Sequence, residues 1–301
     1  MKGILLAGGK GTRLYPLTLA VCKQLLPIYD KPMIYYPLSV LMRAGIKEIL
    51  IISTPEDLPR FSKILGSGEH LGLHIVYQEQ KEPRGIAEAL ILGKDFIGKE
   101  AVTLILGDNI FYGPMLLSLK KKVQNFQRGA LLFGYEVKDP ERYGTLAFHK
   151  GKVSQIIEKP AKPPSSYAVT GLYVYDANCV QLAQTLTPSA RGELEITDVN
   201  NLYLKKNCLQ VHLCEPGSAW LDTGTHAALQ AASLYVQTIQ ERQGIKIGCI
   251  EEIALEEGCI SPQQFASLVG SMGEGEYKNY LWRLTQREML EVKVEEDRVL
   301  W

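Results

Sequence analysis

Short apolar runs alternate with amphipathic segments through the first half of the chain. Four runs predict buried strands, and they cover Ile4 to Ala7, Ile49 to Ser53, Ile75 to Tyr77 and Val102 to Leu106. The segments between them have helical periodicity at 37–44, 61–65 and 86–94. Strands that alternate with helices predict an α/β fold with a mostly parallel sheet flanked by helices on both faces.

The second half of the chain has a different pattern. Four runs with short links predict further strands at 129–137, 144–148, 152–157 and 168–175, which favours mixed or antiparallel additions to the sheet. Helical periodicity returns at 196–205 and 226–242, and the sequence beyond Pro262 is amphipathic. We therefore expect an α/β domain over residues 1–257 and a helical C-terminal extension over 258–301, packed on the main domain.

Composition excludes several classes of protein. The 301 residues are 46% apolar, and 33 basic side chains balance 33 acidic ones, so there is no basic excess of the kind typical of a nucleic-acid-binding protein. No apolar stretch approaches the roughly 18 residues of a membrane helix, and the N-terminal run is too short for an export signal. The six cysteines form no C-x-x-C pair, which argues against structural zinc. We expect a cytoplasmic enzyme without a nucleic-acid or membrane partner.

A glycine-rich turn directly follows the first predicted strand. It contains Gly8, Gly9 and Gly11, followed by Thr12 and Arg13. Glycines let the backbone approach a ligand closely and direct N–H groups at an anion, and an arginine can grip phosphate oxygens with two donors. A tight turn without a ligand explains the glycines equally well.

Two common phosphate-binding motifs do not fit this turn. A Walker loop requires Gly-Lys-Ser/Thr at a spacing that is absent here, and a dinucleotide fingerprint requires a small residue where Leu14 stands. A nicotinamide-dependent dehydrogenase is therefore disfavoured. Lys23 is the only cation between Arg13 and Lys31, so it is a candidate for the same anion, although a single lysine is more often solvated.

Two acids stand out as candidate metal ligands. Asp108 ends the strand run 102–106 after Gly107, at the strand end where α/β sheets bind ligands. Asp222 precedes a helical pattern that begins near His226, and a role in capping that helix is an equally good interpretation. The sequence contains no arrangement typical of a covalent nucleophile with its base.

The motifs, taken in order, resemble those of sugar-phosphate nucleotidyltransferases, and more narrowly the glucose-1-phosphate thymidylyltransferases. Each motif is weak alone, but the ordered set is specific and runs from residue 2 to about 257. Its members are Leu6-Ala7-Gly8-Gly9-x-Gly11-Thr12-Arg13-Leu14, Lys23-Gln24-Leu25-Leu26-Pro27, Gly107-Asp108-Asn109, Arg142-Tyr143-Gly144, Glu158-Lys159-Pro160, Tyr167-Ala168-Val169-Thr170-Gly171, Arg191-Gly192-Glu193-Leu194-Glu195-Ile196-Thr197-Asp198 and Trp220-Leu221-Asp222-Thr223-Gly224-Thr225.

The resemblance implies a Rossmann-like fold of the nucleotide-diphospho-sugar transferase type and a role for each matched residue. The catalytic residues would be Arg13, Lys23, Asp108, Lys159 and Asp222. Asp108 and Asp222 would hold Mg²⁺. The nucleotide would contact Leu6, Gly8, Gly9, Gly11, Thr12, Arg13, Gln24, Gln80, Gly85 and Asp108. The sugar phosphate would contact Gly144, Glu158, Lys159, Val169, Thr170 and Arg191. Without the resemblance, Gln80 and the pair Glu158-Lys159 would be ordinary surface residues.

The implied reaction joins dTTP to glucose 1-phosphate. A UTP-specific enzyme, an enzyme for another sugar 1-phosphate, and a non-catalytic sensor on the same fold are the alternatives. Members of this kind are usually homotetramers inhibited by a dTDP-sugar, and we expect the same of this protein. Three positions depart from the family pattern: Lys10 and Cys22 replace serines, and Glu88 stands where glutamine is common.

Overall fold

The computed structural model describes residues 1–9 and 11–286, so Lys10 and the end of the predicted C-terminal extension lie outside the described residues. The strands are β1 (Lys2–Leu6), β2 (Pro27–Ile28), β3 (Lys31–Pro32), β4 (Glu48–Ser53), β5 (His74–Glu79), β6 (Val102–Leu106), β7 (Asn109–Tyr112), β8 (Ala130–Glu136), β9 (Gly144–His149), β10 (Lys152–Glu158), β11 (Tyr167–Tyr175), β12 (Leu209–Leu213) and β13 (Ala219–Asp222). The α-helices are α1 (Tyr35–Arg43), α2 (Leu58–Leu65), α3 (Glu88–Leu92), α4 (Lys94–Ile97), α5 (Pro114–Gln124), α6 (Asn178–Gln184), α7 (Ile196–Lys205), α8 (His226–Gln243), α9 (Ile250–Glu256) and α10 (Pro262–Gly270).

A central sheet organises these elements. Its path runs β10-β9-β11-β6-β1-β4-β5, and β8 and β12 extend it from β11. The strands β6, β1, β4 and β5 are parallel, whereas β11 runs antiparallel to β6 and β8. Helices and apolar clusters cover both faces. The predicted parallel sheet with mixed additions is confirmed.

Most predicted segments coincide with observed elements to within two or three residues. The predicted helix 86–94 is divided at Gly93, where an added side-chain carbon would lie 2.7 Å from the Ile4 side chain of β1. The small sheet of β7 and β13 was not predicted. These strands are four residues each and 107 residues apart, so neither has a local pattern that reveals its partner.

The described part of the C-terminal extension packs on the main domain. Phe265 and Val269 of α10, and Leu281 in the helical segment 276–286, are fully buried in the same cluster as Leu38 and Phe61. The division of the chain at residue 257 stays a prediction. Within the described residues, no helix combines the length and apolarity that crossing a bilayer requires.

We expect Leu281→Ala to destabilise the whole domain, because its side chain is 0% exposed and fills the shared core. Truncations of this kind cost about 2–5 kcal/mol, which should lower the thermal midpoint by several degrees. The matched control is Trp282→Ala, which removes a larger neighbouring side chain that is 48% exposed. A larger fall in the thermal midpoint for Trp282→Ala than for Leu281→Ala would contradict this packing.

Candidate active site

A cavity of about 550 Å³ opens at the carboxyl ends of β1 and β6. The backbone N–H of Gly107 donates to Leu6 O at 2.8 Å, so the turn after β1 and the turn after β6 lie side by side. The cavity is lined by Leu6, Gly8, Gly9, Gly11, Thr12, Arg13, Leu14, Lys23, Gln24, Pro83, Ile86, Leu106, Asp108, Asn109, Arg142, Tyr143, Gly144, Glu158, Lys159, Val169, Gly171, Tyr173, Glu193, Ile196, Thr197, Asn200, Trp220, Asp222 and Gly224.

The glycine turn forms one wall of this cavity. Gly9 and Gly11 have φ values of 102° and 57°, which side chains rarely adopt. A side chain at Gly8 would lie 2.4 Å from Gln80 Oε1, so glycine is needed there for close approach. Gln24 donates to Gly8 O at 3.3 Å, while its buried Oε1 has no partner in the described chain. Gly8, Gly9 and Gly11 thus present backbone, not side chains, to the cavity.

Asp108 and Asp222 meet although they are far apart in sequence. Asp108 follows β6, and Asp222 ends β13, where it pairs with Asn109 of β7. Thr223 Oγ1 donates to Asp108 O at 2.9 Å, so the two segments are joined directly beside the acids. The small sheet that the sequence did not predict is therefore what brings the two carboxylates together.

Asp108 is held by a cation and an amide. Lys23 Nζ lies 2.5 Å from Asp108 Oδ2, and Asn109 Nδ2 donates to Oδ1 at 2.8 Å. Burial opposes ionisation of Asp108, but the charge of Lys23 and these two hydrogen bonds hold the pKa of the carboxyl below its ordinary value. Asp108 is therefore an anion at neutral pH.

The pKa of Asp222 shifts in the opposite direction. Burial, followed by the negative charge of Asp108, raises the pKa of the Asp222 carboxyl above its ordinary value. Arg142 Nη2 lies 3.3 Å from Asp222 Oδ2. A carbon added to Gly224 would lie 3.0 Å from Arg13 Nη2 and 3.2 Å from both Asp222 carboxylate oxygens, so Arg13 is also close to this acid. The charges of Lys23 and these two arginines offset only part of the burial and the repulsion. The remaining repulsion is of the kind that a cation between the two acids relieves.

The two acids fit a divalent metal that keeps other ligands. Among residues 1–9 and 11–286, no group of three or more His, Cys, Asp or Glu side chains is arranged to enclose a metal. Two oxygen donors at an open cavity instead match the way Mg²⁺ is held, with one or two carboxylates and the remaining positions filled by water or phosphate.

The far wall of the cavity carries a second set of charges. Glu158 ends β10, and its Oε2 accepts a hydrogen bond from Thr197 Oγ1 at 2.6 Å. Its Oε1 lies 3.1 Å from Arg191 Nη2 and 3.6 Å from Lys159 Nζ. Lys159 has a φ of 41°, an unusual conformation for a residue with a side chain, and its N–H donates to Tyr143 O. Glu158 and Lys159 therefore line the cavity together, and Arg191 contacts Glu158 without lining it.

The structure brings most predicted site residues to this one cavity, but four do not line it. Gln80 is buried beneath the glycine turn, and Gly85 packs against the backbone of Leu194. Thr170 is buried with its hydroxyl unpaired in the described chain. Arg191 stands behind Glu158 and contacts Glu193 and Glu195. Their roles stay predictions.

Sequence reasoning assigned no role to Asn109, Arg142 and Thr197. Asn109 Oδ1 accepts from Gly171 N at 3.1 Å and from Trp220 Nε1 at 2.6 Å, which fixes the amide that orients Asp108. All three residues lie inside the motifs that were recognised. The signal was present, but only the fold shows which side chains of each motif point into the cavity.

A parallel sheet with a glycine turn and two converging acids at its carboxyl edge is the architecture of an α/β nucleotide-binding transferase. The family model described as "Nucleotidyl transferase" matches residues 2–239. A glucose-1-phosphate thymidylyltransferase of Neisseria meningitidis is 51% identical over 95% of this chain and 100% of its own. One of Mycobacterium tuberculosis is 48% identical over the same shares. This chain belongs to the nucleotidyl transferase family, among the glucose-1-phosphate thymidylyltransferases.

Solved structures support this placement. A Bacillus anthracis protein provisionally assigned as a glucose-1-phosphate thymidylyltransferase, crystallised with sucrose, is 43% identical and superposes with a TM-score of 0.73. The match covers 78% of this chain and 94% of that one. A UDP-glucose pyrophosphorylase structure at 23% identity and a TM-score of 0.70 shows the same fold. The predicted fold class and family are confirmed.

The raised pKa of Asp222 predicts a gain in stability on neutralisation. Because the folded protein holds this proton more tightly than the unfolded chain, ionised Asp222 costs stability above its folded pKa, and the cost disappears below 3.8, the ordinary value. We expect Asp222→Asn, without metal, to raise the thermal midpoint at neutral pH, by an amount that shrinks as the pH falls towards 3.8.

Asp95→Asn, which neutralises an exposed acid in α4, is the control and should give no such gain. A metal-free Asp222→Asn protein that melts below the parent at neutral pH would show that the two acids do not repel one another in the folded state.

Proposed function

We propose that this protein transfers a thymidylyl group from dTTP to α-D-glucose 1-phosphate, giving dTDP-glucose and pyrophosphate. The observation that carries the proposal is the convergence of Asp108 and Asp222 opposite the glycine turn, with a separate charged wall at Glu158. The names of the half-identical relatives supply the nucleotide and the sugar. The cavity supplies two distinct places for phosphate.

The nucleotide lies along the glycine turn in this proposal. Backbone N–H groups of Gly8, Gly9, Gly11 and Thr12 face the β- and γ-phosphates, and Arg13 adds a two-donor contact. Asp108 and Asp222 hold Mg²⁺, which when bound offsets the negative charge of the triphosphate during transfer. Leu6 and Gln24 border the nucleoside, and Gln80 and Gly85 read the base. Lys23 keeps Asp108 ionised and ordered.

Glucose 1-phosphate occupies the opposite wall. Lys159 and Arg191 bind its phosphate, Glu158 accepts hydrogen bonds from the sugar hydroxyls, and Gly144, Val169 and Thr170 border the ring. Thr197 and Arg191 orient the Glu158 carboxylate. Because Gly144 has no side chain, the ring has access to Glu158: an added carbon there would lie 3.3 Å from Glu158 Oε2.

Thymidylyl transfer then follows from the placement of the two substrates in the cavity. A phosphate oxygen of the sugar phosphate attacks the α-phosphorus of dTTP, the new P–O bond forms, and the bond from the α-phosphorus to the bridging oxygen breaks as pyrophosphate leaves. The attacking oxygen is already an anion at neutral pH, so no general base is needed. The site accordingly consists of residues that bind charged groups, and no side chain has to transfer a proton.

Two further features belong to the proposal on the strength of the resemblance: assembly as a homotetramer and inhibition by a dTDP-sugar at a second site. A cytoplasmic location belongs to it on the strength of the composition. UTP or another sugar 1-phosphate is the alternative substrate, because one methyl group separates thymine from uracil and such a difference is worth only about 1–3 kcal/mol.

A pyrophosphate-release assay with glucose 1-phosphate tests the reaction directly. The purified protein is offered dTTP, UTP, CTP and ATP separately, with Mg²⁺ and with a chelator. We expect the highest kcat/KM with dTTP and no release without a divalent metal. A preference for CTP or ATP would refute the thymidylyl assignment, and release in chelator would remove the metal from the scheme.

Neutralising either acid should abolish most of the turnover. We expect Asp108→Asn and Asp222→Asn each to lower kcat by about 100-fold or more, because several kcal/mol of charge stabilisation are lost. Asp95→Asn is the matched control and should retain the parent rate. Circular dichroism should show an intact fold in all three variants, and a near-normal rate in either site variant would exclude that residue from the metal site.

A further inference from the structure

Gln80 reaches the glycine turn from the neighbouring edge of the sheet. It follows β5, and its backbone N–H donates to Ser53 O at the end of β4. Its side chain is 3% exposed, and its Oε1 lies 2.4 Å from where a side-chain carbon on Gly8 would be. The carbonyl end of this amide is therefore the end that faces the glycine turn.

The other end of the amide is held by Glu88. Gln80 Nε2 donates to Glu88 Oε2 at 2.8 Å, and the Glu88 side chain is almost completely buried. Arg84 completes the arrangement: its Nε donates to Glu88 Oε1 at 2.8 Å, and its backbone N–H donates to Oε2 at 3.2 Å. Both carboxylate oxygens are thus occupied by donors.

This arrangement determines which way the amide points. Three N–H donors face the two Glu88 oxygens, and two of them belong to Arg84, so the NH₂ end of Gln80 faces Glu88 as a donor and its carbonyl end faces away from it. A reversed amide would set Gln80 Oε1 against a buried carboxylate, and two acceptors in contact in a buried place are strongly disfavoured. A glutamine at position 88 would be both donor and acceptor and would impose no such direction.

We propose that Glu88 is a specificity-determining residue that fixes the Gln80 amide as a hydrogen-bond acceptor for the base. The inference rests on the proposed function, because it assumes that a pyrimidine lies beside Gln80. Thymine and uracil carry a hydrogen on N3, which Gln80 Oε1 accepts. Cytosine carries a lone pair at N3, so it would meet Oε1 as a second acceptor and lose this hydrogen bond.

The test compares dTTP with dCTP in three forms of the full-length protein. They are the parent, Glu88→Gln, and the control Glu82→Gln, which neutralises an exposed acid six residues earlier. We expect the parent and the control to share one ratio of kcat/KM for dTTP over dCTP. We expect Glu88→Gln to lower that ratio about tenfold or more, the worth of one well-made hydrogen bond.

The pattern of the change separates a positioning role from general damage. A base contact is remote from the reacting phosphorus, so Glu88→Gln should raise KM for dTTP and leave kcat within a few-fold. Glu88→Asp keeps an acceptor-only carboxylate and should recover part of the dTTP preference. An unchanged ratio in a folded Glu88→Gln protein, or an equal fall in kcat for both nucleotides, would overturn the proposal.

One measurement needs no variant at all. The parent should use dTTP methylated at N3 at least about tenfold less well than dTTP, because the methyl group removes the donor that Gln80 accepts. Equal use of both would overturn the role of Glu88 even if no Glu88 variant folds. A parent that uses neither dTTP nor UTP would instead refute the proposed function.

Discussion

Repulsion between two carboxylates is the constraint on which the site depends. Asp108 and Asp222 come from distant parts of the chain and are joined by the pairing of β7 with β13 and by the hydrogen bond from Thr223 to Asp108. Lys23 lowers the pKa of Asp108 through its charge and a hydrogen bond. For Asp222, the charges of Lys23, Arg142 and Arg13 do not offset burial and the charge of Asp108, which explains the opposite pKa shifts. Keeping this pair of acids together therefore lowers the stability of the folded protein, and binding of a cation relieves the repulsion between them.

The base side and the sugar side are connected through backbone. Leu194 N–H donates to Arg84 O at 2.7 Å, and Ala87 N–H donates to Leu194 O, so the loop before α3 is fixed to the segment that carries Arg191 and Glu195. Gly85 is required at this junction, because an added carbon would lie 2.4 Å from Leu194 O. The segment proposed to read the base and the segment proposed to bind the sugar phosphate are therefore joined directly by backbone hydrogen bonds.

The parallel core of the sheet was predictable because buried strands have continuous apolar runs, as β1 and β6 do. The glycine turn and Asp108 were predictable because they follow those strands. The pairing that joins Asp108 to Asp222 was not predictable from the sequence, because β7 and β13 are short and their pairing is non-local. The orientation of Gln80 was equally hidden, since only the contact with Glu88 distinguishes the two ends of its amide. Sequence motifs identified the neighbourhoods of the site, and the fold determined which atoms face each other.

The most direct test is a crystal structure of the protein with dTTP and Mn²⁺ in place of Mg²⁺, because manganese is identified by its anomalous scattering. We expect one ion with carboxylate oxygens of both Asp108 and Asp222 at about 2.0–2.1 Å, a phosphate oxygen of the nucleotide as a further ligand, and the outer phosphates on the backbone of Gly8, Gly9, Gly11 and Thr12. An ion bound by phosphate alone, with either aspartate turned away, or a glycine turn without phosphate, would contradict it.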